Sequence, residues 1–267
     1  MRSAREITPG GDYHRYLRDY DLREIDAADL RSLFHLKYLA RLRPLLALAR
    51  RHAGPGGRVL EVGCAQANAS LLLAEAGLRA VALDLRLEAL TYARAKHERG
   101  AFWPLVGNAQ ALPLAAGAGD VVLLAELLEH CAQPRAILSE ALRVLRPGGW
   151  LLLSTPNGEF WHERVGSFRP HQVPTAGQQQ RQFGREGDDH LACFTRRSLG
   201  ELLRAVGLRR VRVFYAGSAL LSDRLALGKR LLPPAALLAL SALVNRLPGL
   251  GRRLSLTLVA VGEKPGP

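Results

Sequence analysis

The sequence predicts an α/β fold built on a doubly wound, mostly parallel sheet, and three observations carry that expectation. From residue 58 onward, short apolar strand patterns alternate with helix patterns. The first strand runs directly into a glycine turn and then a helix, at RVLEVGCAQANAS. The 267 residues are 48% hydrophobic, enough to cover both faces of one large sheet.

The elements follow in order. Residues 12–52 read as helices, with Leu30, Leu33, Phe34, Leu36, Leu39 and Leu42 near helical spacing. Pro44 is expected to break or restart that pattern. AGPGG at 53–57 is a turn. RVLEVG (58–63) is a buried strand, and NASLLLAEAG (68–77) a helix closed by Gly77. RAVALD (79–84) is a second strand, followed by a helix ending near Gly100. AFWPLVG (101–107) is a third strand, placed at an edge by Pro104. DVVLLAE (120–126) is a fourth. PRAILSEALRVLRPGG starts a helix on Pro134 and stops it at Pro-Gly-Gly, before strand WLLLSTP (150–156). The polar stretch 157–194 is long enough to be a lid. TRRSLGELLRAVG is a helix capped by Thr195 and ended by Gly207. RRVRVFYAG and SLTLVAVG (255–262) complete seven strands.

Charge and cysteine content narrow the function classes. Residues 58–158 carry 9 basic and 9 acidic side chains, whereas 159–267 carry 17 and 8. A basic last third attracts anions such as phosphorylated metabolites, lipid headgroups or nucleic acid. Arg is 33 of the 37 basic residues, so biased codon usage gives an equally simple account. Cys64, Cys131 and Cys193 are widely spaced with no C-x-x-C, which points away from a disulfide framework or a thiolate zinc site. The first 24 residues hold no apolar signal core, so a cytoplasmic location is expected.

The turn after the first strand carries the chemistry. A strand, glycine turn and helix in sequence point backbone N–H groups and a positive dipole end at a ligand. Asp84 ends the next strand, at a spacing where a carboxylate accepts both hydroxyls of a ribose. The dinucleotide pattern G-x-G-x-x-G is absent, because Cys64, Ala65, Gln66 and Ala67 follow Gly63.

Here the sequence resembles the class I S-adenosylmethionine-dependent methyltransferases, close to their small-molecule and quinone O-methyltransferases. Their first motif, an acid followed by three alternating glycines, matches Glu61, Gly63, Ala65 and Ala67, with two glycines replaced by alanine. GNAQALPLAAGAGDVVLLAELLEHCAQPRAILSEALRVLRPGGWLLLSTPN is similar to the family's middle section. The resemblance implies a Rossmann-like sheet with its last strand antiparallel. It implies S-adenosylmethionine as cofactor, with Glu61, Gly63, Cys64 and Ala65 at its amino-acid end. Asp84 would bind the ribose, Leu85 would pack on adenine, and Asn108 and Ala109 would meet the adenine edge. Glu126 would border the methyl-donor side. An added methyl at Ala65 or Ala67 costs about 1 kcal/mol if the backbone there has positive φ, and Ala67 is expected to be harmless at a helix start. The expected organisation is a helical extension (1–57), a cofactor-binding core (58–217), an apolar helical insertion (218–253), and a last strand with its tail (254–267).

Two further features stand out. Glu126, Glu129 and His130 can converge on one helical turn, with His190 across the loop, as donors for a divalent cation. Certain quinone and small-RNA methyltransferases carry a similar E-x-x-E-H with a later His. The alternative is that Glu129 caps the following helix and His130 lines the pocket. Without a metal, His130 and His190 are the candidate bases, with His162 and His171 in the polar loop also open. The second feature is AALLALSALVNRL after Pro233–Pro234, apolar almost all round except for a stripe at Ser241 and Asn245. At about 20 Å as a helix it is too short to span a bilayer. It suits contact with an anionic membrane surface at the inner face, a cover over an apolar acceptor, a core helix or a dimer contact.

The reading is methyl transfer from S-adenosylmethionine to an oxygen of an apolar or anionic small molecule. An RNA methyltransferase and a non-catalytic S-adenosylmethionine-binding protein are the alternatives. No motif in 1–50, 157–194 or 218–253 specifies the acceptor.

Overall fold

The computed structural model describes residues 1–30, 32–160, 190–219, 232–247 and 249–266. Two helices lead: α1 (Asp12–Glu24) and α2 (Leu33–Ala53). The core then alternates β1 (Arg58–Val62), α3 (Asn68–Glu75), β2 (Arg79–Asp84), α4 (Leu87–Lys96), β3 (Ala101–Val106) and β4 (Gly119–Ala125). It continues with α5 (Pro134–Val144), β5 (Leu145–Pro156), α6 (Arg196–Ala205) and β6 (Arg209–Ser218). α7 (Pro234–Arg246) and the short α8 (Leu250–Leu254) precede β7 (Ser255–Glu263).

Among the described residues these strands form one seven-stranded sheet in the order β3-β2-β1-β4-β5-β7-β6. β1 to β5 pair in parallel, and β7 runs antiparallel between β5 and β6. β3 with Pro104 lies at one edge, where a residue lacking an N–H is tolerated. Strand alternation sorts the two faces. Val59, Val121, Leu123 and Leu152 pack under α2 and α3, whereas Leu60, Val122, Leu124 and Leu153 pack with α5 and α6. Strand order reverses beside β1, so the crevice at the carboxyl ends of β1 and β4 is the place for a ligand.

Three boundaries differ from the sequence pattern. α2 continues through Pro44, although an interior proline costs about 3 kcal/mol. Burial of Leu42, Leu45 and Ala49 against the sheet outweighs that cost. α4 stops at Lys96 rather than near Gly100, because His97 takes an extended backbone (φ −70°, ψ 128°) that breaks the helical hydrogen bonding. β5 begins at Leu145, before Pro147–Gly148–Gly149 rather than after them. Leu145 pairs with Gly119, and the register shifts before Val121 meets Trp150.

Candidate active site

The turn from β1 to α3 is a tight knot of local bonds. The N–H groups of Gly63 and Cys64 both donate to Leu83 O, at 2.8 and 3.0 Å, and Ala67 N donates to Cys64 O. Gly63 has φ +72°, and a Cβ there would stand 2.7 Å from Leu127 Cδ1, so a side chain would be strained and would displace Leu127. Ala65 (φ +44°) and Ala67 (φ +53°) also lie in the left-handed region. Ala67 is therefore strained, contrary to the expectation of a harmless helix start. Its methyl is fully buried with Cys64 and Leu71, which offsets the strain.

Two carboxylates take the places that free N–H groups were expected to fill. Asp84 accepts from Ala65 N (2.9 Å) through one oxygen and from Arg86 N (3.0 Å) through the other, tying β2 to the turn. Glu61 is buried on the α3 face and accepts from Ser70 N (2.9 Å) and Ser70 Oγ (2.6 Å) in the first turn of α3. Burial pushes the Glu61 carboxyl up to about 7, against the lowering effect of Ser70. The helix N-terminus where a pyrophosphate would sit thus already holds a carboxylate. An anion there would be repelled, and a ligand with a cationic end would be drawn in.

The turn opens into a cavity of about 1210 Å³ at the sheet's switch point. Leu85, half exposed, lines it beside Asn108 and Ala109. Asn108 Oδ1 accepts from Gln110 N at 2.9 Å, so the amide is held in a fixed orientation. Beneath the turn, Lys96 donates to Asp21, Asn68 Oδ1 and Gln66 O, and Tyr92 donates to Asp21 at 2.9 Å. This buried network clamps α1 to α3 and α4.

The opposite wall is built by residues that sequence reasoning did not single out. Tyr13, Tyr16 and Tyr20 of α1, and Tyr38 and Arg41 of α2, line the cavity with Glu24. Arg41 Nη1 stands 3.2 Å from Glu126 Oε2. Glu126 follows β4 with φ +52°, and its Oε1 is buried with no hydrogen-bond partner. Burial lifts Glu24 to about 7 despite the nearby Arg41. The helical spacing of the tyrosines is visible in the sequence, but which face would meet a ligand depends on how α1 packs.

Residues 60–153 match the methyltransferase domain family. A demethylmenaquinone methyltransferase of Renibacterium salmoninarum is 38% identical over 117 residues, 44% of this chain and 47% of that protein. A ubiquinone biosynthesis O-methyltransferase of Xanthomonas campestris is 39% identical over 114 residues, 41% of this chain and 47% of that protein. The chain thus spans about half the length of these curated relatives. A solved S-adenosylmethionine-dependent methyltransferase of Thermotoga maritima shares the fold, with a TM-score of 0.56 over 94% of this chain and 97% of that one, at 17% identity. The acid at the α3 N-terminus, the ribose-spaced Asp84 and the family match agree. Residues 60–153 are similar to a methyltransferase domain.

The edge of the cavity beyond β4 holds the other candidate residues. Glu129, His130 and His190 each bring a ligand atom within 4.8 Å of the others. Leu191 N donates to Glu129 O at 2.7 Å, which pins His190 beside the Leu128–His130 turn, and the two imidazole rings lie 5.1 Å apart. Glu129 is buried and accepts from Thr155 Oγ1 at 3.0 Å, while its Oε1 has no hydrogen-bond partner. Burial pushes its carboxyl well above the usual range. One oxygen and two nitrogen donors with an orphaned carboxylate oxygen fit a divalent cation. Glu126 stands outside this group, because its carboxylate turns to Arg41. Glu129 does not cap α5, whose N-cap is Gln133. Of the described histidines only His130 lines the cavity, with His190 behind it. His162 and His171 lie outside the described residues.

Proposed function

We propose that the chain is an S-adenosylmethionine-dependent methyltransferase acting on a hydroxyl of a small molecule. One observation carries the reading: the Glu61–Gly63–Asp84 turn and His130 open into the same cavity of about 1210 Å³. That exceeds the roughly 300–1,000 Å³ of a single-ligand pocket, leaving room for cofactor and acceptor together. Bound there, S-adenosylmethionine supplies a methyl group activated by its sulfonium charge. Asp84 accepts the ribose hydroxyls, Glu61 and Gly63 receive the amino-acid end, and Leu85 and Asn108 receive adenine. The tyrosines of α1 and α2 exclude water and align the acceptor. His130 takes the hydroxyl proton, and His190 orients its ring. The similarity to a ubiquinone biosynthesis O-methyltransferase supports oxygen as the acceptor atom.

The cavity's charge narrows the acceptor. Asp12, Asp84, Glu88 and Glu126 line it against Arg41 and Arg86, and Glu24 and Glu61 add charge as pH rises through about 7. That field disfavours the anionic acceptor and the RNA expected from overall charge, and favours a neutral or cationic molecule.

Calorimetry with S-adenosylmethionine and its demethylated product, followed by labelled-methyl transfer to neutral, cationic and anionic hydroxy compounds, tests the reading. Binding in the micromolar range with transfer to neutral or cationic hydroxyls is expected. Binding without transfer to any compound would make this a cofactor-binding protein, and transfer confined to RNA would reverse the assignment.

A metal-assisted variant has its own support in the Glu129, His130 and His190 donors. A cation held there would act at the hydroxyl beside His130, lowering the need for a base.

A further inference from the structure

The helix α7 faces the wrong way for a protein in water alone. Its polar side chains turn inward: Ser241 Oγ accepts from Ser218 N at 2.9 Å, and Asn245 Oδ1 accepts from Ser255 Oγ at 2.6 Å. Its outward face is apolar. Leu240 and Leu243 are 38% and 55% exposed, and Leu247 and Leu250 just beyond are 40% and 50% exposed. Ala235, Ala239 and Ala242 extend the same exposed face. A surface helix normally shows the reverse pattern, with its polar stripe in water. Scattered exposed leucines need no explanation, but a continuous face of them does.

Charge identifies the occupant. Arg246 and Arg253 are exposed around the leucines, with Arg252 beside them paired to Glu159 at 2.8 Å. Between Asp223 and Glu263 the sequence contains no acidic residue and six basic ones. An apolar face rimmed by cations matches a bilayer surface with anionic headgroups: leucines enter the acyl boundary and arginines meet phosphate. A second copy of the chain fits less well, because a two-fold contact would place the same basic patch, with no acidic residue between Asp223 and Glu263 to pair it, on both sides of the interface. No described helix is long and apolar enough to cross a membrane, so contact is at the surface. We propose that α7 and the start of α8 dock this protein on an anionic lipid surface.

The inward side of α7 makes the docking relevant to the cavity. Leu237 packs on Leu36 of α2, and α2 also carries Tyr38 and Arg41 on the cavity wall. α2 therefore touches the docking helix on one side and the cavity on the other. The inference rests on the surface alone and stands whether or not the methyl-transfer reading holds.

Vesicle flotation of the full chain tests it. Phosphatidylcholine vesicles containing roughly one-third phosphatidylglycerol should carry the protein up, and pure phosphatidylcholine should carry at least tenfold less. Leu243→Asp should cut binding at least tenfold, and paired Arg246→Glu and Arg253→Glu should cut it similarly. Raised salt should weaken it. Both variants lie at exposed positions, so their melting temperatures should match the parent. No flotation with anionic vesicles, or flotation unaffected by Leu243→Asp, would overturn the proposal. A concentration-dependent dimer in sedimentation that Leu243→Asp disperses would overturn it in favour of self-association.

Discussion

Arg41 of α2 and Glu126 at the end of β4 meet across the cavity, guanidinium to carboxylate at 3.2 Å, joining the amino-terminal helices to the carboxyl edge of the sheet. Glu126 holds a left-handed backbone conformation and has a second oxygen without a hydrogen bond, so Arg41 is its counter-charge. Removing one partner leaves the other half-buried and uncompensated, at a cost of about 1–3 kcal/mol. Arg41→Met should therefore lower the melting temperature, and adding Glu126→Gln should restore part of the loss. A double-mutant cycle by thermal melts should give a coupling of about 1 kcal/mol. Strict additivity would mean that the pair does not hold α2 to the sheet.

The two alanines of the first turn separate strain from burial. Relief of a left-handed alanine by glycine gains about 1–2 kcal/mol, less about 0.4–1 kcal/mol from the freer unfolded chain. Ala65 is only partly buried, so Ala65→Gly should raise the melting temperature by about 1–3 °C. Ala67 is fully buried, and losing its methyl forfeits about 0.8 kcal/mol, so Ala67→Gly should be close to neutral. A clear loss of stability in both variants would contradict the strain assigned to φ at these positions.

Stability should also depend on pH in a defined direction. Glu61 and Glu24 have folded-state values near 7, above the ordinary 4.5, because of burial. Between those values the folded chain holds protons that the unfolded chain has lost, so stability falls as pH rises from 4.5 to 7 and levels off above. The apo protein should melt a few degrees lower near neutral pH than near pH 5, at about 2–4 °C per kcal/mol. Glu61→Gln keeps an oxygen for Ser70 and should flatten the slope. S-adenosylmethionine, whose amino group favours an ionised Glu61, should bind more tightly as pH rises through about 7. A melting temperature that climbs over this range would refute the assignment.

Asp84 holds the turn, and in the proposed function it also takes the ribose; substitutions divide the two roles. Its oxygens accept from Ala65 N and Arg86 N, and their remaining lone pairs would be open to ribose hydroxyls. Hydrogen bonds to a charged acceptor contribute about 1.5–3 kcal/mol each. Asp84→Ala should weaken S-adenosylmethionine binding at least about 100-fold, and Asp84→Asn about tenfold, by calorimetry. Equal affinity in all three proteins would remove Asp84 from the cofactor site.

The sequence exposes what is local and hides what is assembled. The β1–α3 turn, Asp84 and the edge position of Pro104 were legible because each follows from a short run of residues and the topology that run imposes. Thr195 likewise caps α6 through Ser198, as its position before the helix implies. Leu145 was not legible as a strand residue, since its pairing with Gly119 belongs to a distant segment. Arg41, Glu24 and the tyrosines were hidden for the same reason: their helical pattern marks an apolar face without saying that the face covers a cavity. The spacing of Glu126 suggests a metal ligand, and only the approach of Arg41 from another helix redirects it.

Glu129, His130 and His190 provide the remaining test, which separates a cation site from a buried acid. Burial pushes the Glu129 carboxyl toward its neutral form, and a cation would favour its charged form. If the three donors act together, chelator-treated protein should gain melting temperature on addition of Co2+ or Zn2+, by about 2–4 °C per kcal/mol of binding. Glu129→Gln and His190→Ala should each remove that gain while leaving S-adenosylmethionine affinity intact. Methyl transfer should then fall on chelation and return with the cation. If added metal leaves the melting temperature unchanged and activity survives chelation, the cluster is a hydrogen-bonded acid and imidazole pair, and His130 alone carries the proton.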